Sequence, residues 1–377
     1  MKVIRSIRHL VQPRETSAPG ETSEREPARF YPPARIFGTP VDESCLAGIT
    51  AARDFFLEPL RIERIELGRI IGFSAVLGPD NTLHSPEPLA IGSIADALRK
   101  NRFNHEGFIL DSGADGLRAH FAGRSCPRFV GMDALFLPTL EPGNYGSFIF
   151  RQLPLLLHLK RNPTPFDCYI VGDRTAWLLE ALSILELPRR PIFSVRETSG
   201  DTFRSIQICL CAPGEAFLSR STLSGIAALV RQAQAICEPT TGAEAIYVSR
   251  VLSPISRPFY RPMLNELDIE ETMKENGFQI VYPETLGLID QISVFSNAKR
   301  IIGPSGSGML NAVFSSAGTK VVDIETFHVT VRQHANLYSP SEKEYAFLFE
   351  QPDRTDQRPL FQRRWRLGEH LLREALA

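Results

Sequence analysis

Three glycines occur within six residues in the segment Gly303-Pro304-Ser305-Gly306-Ser307-Gly308. The apolar run RIIG leads into this segment and the run MLNAVF follows it, so the pattern predicts a loop between a strand and a helix. Backbone N–H groups and the positive end of a helix dipole bind anions at such a loop. The segment therefore indicates a phosphate site, and a plain strand-to-helix turn is the alternative.

The order of the glycines narrows the kind of phosphate site. A Walker A loop has lysine after its last glycine, but Met309 follows Gly308, which argues against an ATPase or kinase of that type. The dinucleotide fingerprint is G-x-G-x-x-G with an acid at the end of the next strand. This loop has the order G-x-x-G-x-G, and Asp323 ends the next apolar run. A dinucleotide-dependent oxidoreductase is therefore the alternative enzyme class.

Basic side chains follow another predicted strand. Ser249 and Arg250 come directly after the run AIYV, and Arg257 and Arg261 lie in the loop beyond. Guanidinium groups bind phosphates through two parallel hydrogen bonds. Ligands of parallel sheets bind beyond the carboxyl ends of the strands. The sequence therefore predicts that these arginines and the glycine loop meet at one sheet edge and hold a diphosphate.

The segment VVDIE adds two acids, Asp323 and Glu325. An Asp-x-Glu pair holds a metal in one class of sugar-nucleotide enzymes, with His328 as a third ligand candidate. An acid that ends a parallel strand also binds ribose hydroxyls, and this is the interpretation we favour. The six cysteines form no CxxC pair, which argues against a zinc site and a disulfide framework. We expect no metal and no other cofactor.

Alternating helix and strand patterns must position these residues. From residue 245 onwards, AIYVSR, FQIVYP, KRIIG and TKVVDIE read as strands separated by helical runs, which predicts a doubly wound, mostly parallel α/β sheet. A second α/β alternation begins at NYGS, after short predicted strands between residues 57 and 121. We predict a tail and linker at 1–33, an N-terminal domain at 34–198, a C-terminal domain at 199–345 and a helical extension at 346–377.

The amino-acid composition limits the cellular location of the protein and the classes of molecule that it binds. The 377 residues carry a net charge of -1 and 43% hydrophobic residues, which indicates a globular protein and argues against nucleic acid as a partner. No apolar window approaches the roughly 18 residues of a membrane-spanning helix, so we expect no segment that crosses a bilayer. The scattered cysteines fit a reducing compartment, and we expect a cytoplasmic protein. Residues 1–12 place apolar and basic side chains on opposite faces of a predicted helix. This segment either contacts an anionic membrane surface, peripheral to the inner membrane, or is a plain tail.

Several segments, in their order, resemble glycosyltransferase family 61, a family that includes bacterial capsular-polysaccharide enzymes. They are YVSR, R..LNE, GF.IVYPE.L...DQI.VF..A..IIG..G.G..N.VF and VVDIE, between about residues 245 and 325. The segment NYGSFIFRQLP is similar to an Asn-Tyr-x-His element of the family. The resemblance implies an α/β, GT-B-like fold, with two Rossmann-like domains and a cleft between them. It implies that 34–198 is the acceptor-side domain and that 199–345 is the nucleotide-sugar-binding domain. It also implies inverting, metal-independent transfer from a UDP-sugar to a glycan or polysaccharide acceptor.

The resemblance assigns roles to individual positions. It implies that Arg250 binds the donor diphosphate, that Arg261, Asn265 and Glu266 organise the adjacent loop, and that Glu325 lies near the ribose. With the loop and strand-end residues, the predicted nucleotide-sugar site comprises Ser249, Arg250, Arg261, Asn265, Glu284, Gln291, Ser305, Gly306, Ser307, Gly308, Asn311 and Glu325.

The catalytic base is the open question of this interpretation. Inverting transfer needs a group that accepts the proton of the acceptor hydroxyl. The family often has histidine where this chain has Ser147 and Ser305, and a serine hydroxyl is no base at neutral pH. Asp133 and Glu141 precede NYGS, and we take Asp133 and Ser147 as the catalytic candidates, with ordinary solvated carboxylates as the alternative. A scaffold that kept the fold and lost turnover is a further alternative.

Overall fold

The structure of the protein is a computed structural model. It describes residues 2–3, 6–9, 25–40, 42–57, 59–73, 75–85, 108–113, 116–121, 127–139, 141–198, 200–210, 217–236, 242–252, 261–326 and 330–377. The chain forms two compact units, each built from two stretches. Unit 1 comprises residues 1–26 and 57–216, and unit 2 comprises residues 27–56 and 217–377.

The strands of the described residues are numbered β1 to β20 in chain order. Their bounds are β1 Lys2–Val3, β2 Ser6–His9, β3 Glu26–Phe30, β4 Arg35–Gly38, β5 Arg53–Leu57, β6 Arg61–Glu66, β7 Arg69–Ile71, β8 Ala75–Leu77, β9 Thr82–Ser85, β10 Phe108–Gly113, β11 Gly116–Phe121, β12 Asp133–Leu137, β13 Cys168–Val171, β14 Ile192–Ser194, β15 Ser205–Leu210, β16 Ala245–Val248, β17 Gln279–Val281, β18 Arg300–Pro304, β19 Lys320–Glu325 and β20 Glu344–Phe349.

The α-helices are α1 Tyr145–Ser147, α2 Leu153–Arg161, α3 Ala176–Ile184, α4 Arg220–Ile236, α5 Glu266–Glu275, α6 Leu288–Asn297, α7 Val331–Tyr338 and α8 Glu369–Leu376. A π-helical segment, Phe148–Gln152, joins α1 to α2. Short 3-10 helices occupy Glu43–Leu46, Pro127–Phe129, Pro283–Thr285, Ser307–Phe314 and Leu360–Gln362. None of these helices has the length and apolar character that crossing a membrane requires.

Unit 1 contains a five-stranded sheet in the order β14-β13-β12-β15-β6. The first four strands are parallel, and β6 is antiparallel to β15. Phe136, Ile170 and Ile206 are fully buried in its core. The predicted helix, strand and helix after NYGS are confirmed as α1 to α2, β13 and α3, because each element carries one continuous apolar face. The short strands expected between residues 57 and 121 are also confirmed.

The beginning of the chain differs from its prediction. Lys2–Val3 pairs antiparallel with β11, and Ser6–His9 pairs parallel with β9, so the predicted helix over residues 1–12 is wrong. Strand pairing supplies the backbone hydrogen bonds that a helix of this length supplies only marginally in water. Glu26–Phe30, predicted within the linker, is a strand that pairs with β5. The rest of the predicted linker, residues 10–24, lies outside the described residues.

Unit 2 contains a six-stranded sheet in the order β17-β16-β18-β19-β20-β4, and every strand pair in it is parallel. Its core includes Tyr247, Ile324 and Leu348, each at most 1% exposed. The alternation predicted from residue 245 onwards is confirmed, including the end of α5 beside Gly277, which has a φ of 79°. One predicted helix is instead the 3-10 helix Ser307–Phe314.

Both ends of unit 2 differ from the predicted domain limits. Arg35–Gly38 pairs parallel with β20, which brings residues 27–56 into unit 2. At the other boundary, β15 pairs with β12, and unit 1 therefore continues beyond residue 198 to residue 216. The predicted helical extension begins within β20, and its helix is α8, which packs near β4. Both differences arise from pairing between strands that are far apart in the sequence.

Candidate functional site

The carboxyl ends of three strands lie side by side in unit 2. β16 pairs with β18, and β18 pairs with β19, with Gly303 opposite Asp323 and Pro304 opposite Ile324. The residues that directly follow these strands therefore share one edge of the sheet. They are Ser249 and Arg250 after β16, the glycine loop after β18, and Thr326 after β19.

Arg250 lies directly beneath the glycine loop. Its Nη1 donates to the backbone oxygen of Ser305 at 3.0 Å, and the side chain is half-buried. Its backbone N–H donates to Oε1 of Glu266 at 2.5 Å. A methyl group built on Gly306 would lie 3.8 Å from the Arg250 guanidinium. The loop backbone therefore passes over the face of this guanidinium group at close range.

Arg261 approaches the same carbonyl from the protein interior. Its Nη2 donates to the Ser305 oxygen at 3.3 Å, and its Nη1 donates to Oε1 of Glu325 at 2.7 Å. The Arg261 and Glu325 side chains are 2% and 0% exposed. Arg261 has a φ of 47°, and the indole N–H of Trp365 donates to its carbonyl at 3.1 Å. The Ser305 carbonyl is thus the point where two guanidinium groups converge.

Glu325 is the buried carboxylate that binds the Arg261 guanidinium group. Besides Arg261, its Oε1 accepts the backbone N–H of Thr326 at 2.9 Å, and its Oε2 accepts the Thr330 hydroxyl. With 0% exposure, the carboxylate is held by protein donors. This geometry places Glu325 inside the protein, away from any ribose hydroxyl. We therefore revise its predicted role from a ribose ligand to a support for the arginine.

Asp323 is equally enclosed. Its Oδ2 accepts the Tyr338 hydroxyl at 2.9 Å and contacts Nδ1 of His334, and all three side chains are at most 1% exposed. Such a carboxylate cannot reach a dinucleotide ribose or a solvent-borne metal ion. Among the described residues no group of three His, Cys, Asp or Glu side chains is placed to hold a metal. His328 lies outside the described residues.

Two acids of α5, Glu266 and Glu270, form a buried carboxylate pair beside Arg250. The Ser249 hydroxyl donates to Glu270 at 2.6 Å and lies 3.4 Å from Glu266, and the Tyr282 hydroxyl donates to Glu270 at 3.0 Å. Burial is the main reason that the pKa of Glu266 is raised to about 7, and the charge of Glu270 acts in the same direction, against the hydrogen bond from the Arg250 backbone. Ser249 thus binds carboxylates of its own protein, and Glu266 holds the Arg250 backbone in place.

Other predicted site residues connect elements around the edge. The Asn265 amide makes two hydrogen bonds, both at 3.0 Å, with the backbone of Leu367. The Asn311 amide donates to Oε1 of Gln291 at 2.7 Å, which joins the 3-10 helix to α6. Glu284 is exposed on the helix Pro283–Thr285. Ser307 begins the 3-10 helix, and the Ser305 hydroxyl lies 3.0 Å from that of Thr330.

The three glycines of the loop differ in what a side chain at their position would contact. A Cβ atom on Gly303 would lie 2.6 Å from the Val248 carbonyl, and one on Gly308 would lie 3.2 Å from the ring of Pro283. Both positions therefore allow close packing of neighbouring strands and loops. Gly306 has a φ of 161°, which is extended backbone open to any residue. Because Gly306 has no side chain, the face of the Arg250 guanidinium group stays uncovered.

The structure places Asp133 at the amino end of β12, the opposite end from the loops that carry Ser147. Arg204 donates to both Asp133 carboxylate oxygens, at 2.8 and 2.6 Å, and the Ser205 hydroxyl donates at 2.7 Å. The hydrogen bond from Arg204 is the main reason that the Asp133 pKa is lowered to about 2. A carboxylate in this state is a poor proton acceptor, and we do not retain Asp133 as the base.

Glu141 lies in the loop after the carboxyl end of β12 and is exposed. The Asn144 amide donates to Glu141 Oε2 at 2.9 Å, and the Ser147 hydroxyl lies 3.4 Å from the same oxygen. Asn144 also caps α1, because its Oδ1 accepts the Gly146 N–H at 2.8 Å. Ser147 is thus brought together with a carboxylate, but with Glu141 rather than with Asp133. The Asn-Tyr-x-Ser spacing after Glu141 is the sequence signal for this cap.

A comparison with protein-family models matches residues 119–322 to the family described as Glycosyltransferase 61. The match covers more than half of the 377 residues and includes Arg250, Arg261 and the glycine loop. The chain belongs to glycosyltransferase family 61. The predicted resemblance is therefore confirmed, and the protein is a glycosyltransferase. No curated protein matches the chain.

Membership in glycosyltransferase family 61 means that the protein needs a donor sugar and an acceptor. The matched span includes both the Glu141 loop of unit 1 and the arginine edge of unit 2. The sequence alone did not reveal the Glu266 and Glu270 pair. Their i, i+4 spacing on α5 signals only that they share a helix face, and it does not show that the face is buried.

Proposed function

We propose that the protein transfers a sugar from a UDP-sugar to a glycan or polysaccharide acceptor, with inversion at the anomeric carbon and without a metal ion. The observation that carries this proposal is the convergence of Arg250 and Arg261 on the Ser305 carbonyl beneath the glycine loop. Guanidinium groups at a strand-end loop suit a diphosphate, and they supply positive charge where a metal ion would otherwise stand.

The proposal includes a GT-B arrangement, for which the support is that each unit has its own sheet of parallel strands. Unit 2 would bind the donor nucleotide, and unit 1 would supply the acceptor side. Cys45 and Cys168 carry free thiols, which suits the reducing cytoplasm of a bacterium that builds a surface polysaccharide such as a capsule.

In the proposed reaction, the acceptor hydroxyl oxygen attacks the anomeric carbon, and the bond from this carbon to the UDP oxygen breaks. UDP leaves with an added negative charge, which the Arg250 guanidinium stabilises. The Ser305 carbonyl holds this guanidinium in place, and Glu266 holds the backbone N–H of Arg250. Arg261 keeps the loop carbonyl in position from within the protein.

The proton of the acceptor hydroxyl passes to a carboxylate, and we assign this role to Glu141. It is exposed, and it is oriented by Asn144 and Ser147 at the carboxyl edge of the unit 1 sheet. A carboxylate at this position replaces the histidine that the family often has at the Ser147 position. If Glu141 does not accept the proton, the alternatives are another carboxylate as the base, or a catalytically impaired protein that acts as a scaffold.

The test is UDP binding by isothermal titration calorimetry. Arg250→Ala removes a charge-assisted contact worth on the order of 1.5–3 kcal/mol, so UDP should bind at least about tenfold more weakly. Arg300→Ala is the matched control, because Arg300 is exposed at the opposite end of β18 and lies over the Phe278 ring. This control should bind UDP as the wild type does. UDP affinity should also survive EDTA.

Unchanged UDP affinity in a folded Arg250→Ala protein would overturn the phosphate assignment, and circular dichroism establishes that the variant is folded. A thermal-shift comparison addresses the oxidoreductase alternative. Stabilisation by NAD(H) or NADP(H), with none by UDP, would favour that class, since a ligand that binds the folded state raises the melting temperature. The enclosed position of Asp323 predicts stabilisation by UDP alone.

A further inference from the structure

A cavity of about 490 Å³ lies at the edge of the unit 2 sheet opposite to the arginine site. It is lined by residues 315–317, which precede β19, and by residues 340–343, which precede β20. The arginine site is formed by residues that follow the strands. The cavity is therefore separate from the proposed donor site, and its volume is within the roughly 300–1,000 Å³ range of small-molecule sites.

The cavity has an apolar side and a polar end. Leu223, Ile226 and Val230 of α4 line it together with Val313 and Phe314 of the 3-10 helix. These α4 residues recur at helical spacing, so they form one continuous apolar strip along the helix. The polar end is formed by the serines at 315, 316 and 341 and by Lys343. A ligand that fills such a cavity needs an apolar body and one polar head.

Lys343 is the charged group of the polar end and is 7% exposed. Its Nζ donates to the backbone oxygens of Ser315 and Ser316, at 2.6 and 2.9 Å. These carbonyls follow the 3-10 helix, and binding them accounts for two of the three N–H groups of an ammonium ion. Within the described part of the chain, Lys343 forms no ion pair. A buried cation without a counter-charge is unfavourable, and a bound anion would relieve this cost.

We infer that this cavity binds an amphipathic monoanion, such as a medium-chain carboxylate, with its anionic group on Lys343 and its chain along α4. The chain contacts the apolar strip of Leu223, Ile226 and Val230. The Ser316 hydroxyl is placed to donate to the head group, whereas the hydroxyls of Ser315 and Ser341 donate to backbone carbonyls of the protein. Arg231 of α4 also lines the cavity and adds a second positive charge. Glu342 is the one carboxylate among the lining residues.

The protonation of the Lys343 amine makes binding of the anionic ligand dependent on pH. Burial lowers the pKa of the Lys343 amine to about 8, and the charge of Glu342 raises it slightly in return. The charged form, which the anion requires, is therefore present at pH 7 and is lost as the pH rises above 8. The other charged groups of the lining are Arg231 of α4 and Glu342, and the 3-10 helix and α6 contribute no titratable group to it. Affinity for the anion should fall between pH 7 and pH 9.5.

The test measures octanoate binding to the full-length protein by calorimetry at pH 7, with 1-octanol as the uncharged ligand of the same chain length. Ala227→Trp fills the cavity from the exposed surface of α4, and Ala235→Trp is the matched control, exposed on the same helix outside the lining. Ala227→Trp and Lys343→Met should each weaken octanoate binding at least tenfold. Ala235→Trp should bind octanoate as the wild type does, and all three variants should keep their UDP affinity.

Several results would overturn this inference. They are the absence of saturable octanoate binding in the wild type, equal affinity in Ala227→Trp and wild type, or binding of 1-octanol as tight as that of octanoate. Ala227→Trp alters an exposed position, so it remains informative if the buried substitution Lys343→Met fails to fold. Loss of octanoate binding in Ala227→Trp but not in Ala235→Trp supports the site.

Discussion

The two parallel sheets present different side chains at their carboxyl edges. In unit 1, the residues after β12 and β13 include the carboxylates Glu141 and Asp173 as well as Arg174, whereas in unit 2 the residues after β16 include Arg250 and Arg261. The strands are parallel at both edges, so the difference lies in the side chains that follow the strands. Glycosyl transfer requires both kinds of group, because a proton must be accepted and a charged leaving group must be stabilised.

The edges also differ in how deeply their charges are buried. The Arg261–Glu325 pair of unit 2 has side chains that are 2% and 0% exposed, whereas the Arg174–Glu197 pair of unit 1 has side chains that are 45% and 46% exposed. The unit 2 charges are fixed by protein partners before any ligand arrives. The unit 1 charges of this pair are about half exposed to solvent. Preorganisation suits a phosphate site, and exposure suits a group that must meet an acceptor hydroxyl.

The largest expected effect concerns the proton acceptor of unit 1. Glu141→Gln keeps the hydrogen-bonding shape but cannot take a proton, so turnover should fall about 10²–10⁴-fold. The measurement is UDP release from a panel of UDP-sugars with a glycan acceptor. Asp133→Asn is the control, because Asp133 lies at the other end of β12 with its carboxylate bound to Arg204. An Asp133→Asn loss as large as that of Glu141→Gln would reverse our assignment.

The next largest effect tests the difference in burial. Arg261→Ala leaves the Glu325 charge buried without its partner, which should lower the free energy of unfolding by about 3–5 kcal/mol. Arg174→Ala breaks an exposed ion pair and should cost less than about 1 kcal/mol. Urea denaturation of both variants provides the comparison. Similar losses in the two would show that the edges do not differ in preorganisation.

A smaller effect concerns the pH dependence of unit 2. The Glu266 pKa is raised to about 7 from 4.5, so the folded state holds this proton more tightly than the unfolded chain does. Stability should therefore fall as the pH rises from 4.5 to 7. Glu266→Gln should remove about 1–3 kcal/mol of this fall, measured by urea denaturation at pH 5 and pH 8. Glu271→Gln, exposed on the same helix, should retain the wild-type slope, and equal slopes in both variants would contradict the assignment.

The smallest effect concerns the glycine over Arg250. Gly306→Ala should change the free energy of unfolding by less than about 0.5 kcal/mol, because its new methyl group meets only the guanidinium at 3.8 Å. UDP affinity should fall about two- to fivefold, since the methyl group covers part of the binding face. Gly303→Ala places a methyl group 2.6 Å from the Val248 carbonyl and should cost about 1–3 kcal/mol. Calorimetry and urea denaturation separate these outcomes, and a strongly destabilised Gly306→Ala would contradict our account of the loop.

The local parts of the fold were predictable, because the spacing of apolar residues and the positions of glycines reflect interactions between residues that are close in the sequence. The strands and helices between residues 245 and 325 and the convergence of Arg250 with the glycine loop followed from these signals. The partners of individual charged side chains were not predictable, because a strand pattern shows which loops share a sheet edge but not which side chains meet. Arg261 meets Glu325 across 64 residues, and Asp133 meets Arg204 across 71 residues. Helical periodicity in residues 1–12 was overridden by pairing with β9 and β11.

The Trp365 contact has a consequence for the order in which the protein matures. The carbonyl of Arg261 is held by an indole that follows it by 104 residues, and the backbone of Trp365 also bonds with Pro262 and Leu264. A nascent chain on the ribosome therefore contains Arg250, the glycine loop and Arg261 well before it contains the residue that holds Arg261 in its left-handed conformation. Competence to bind the proposed nucleotide should therefore arise only after Trp365 has left the exit tunnel.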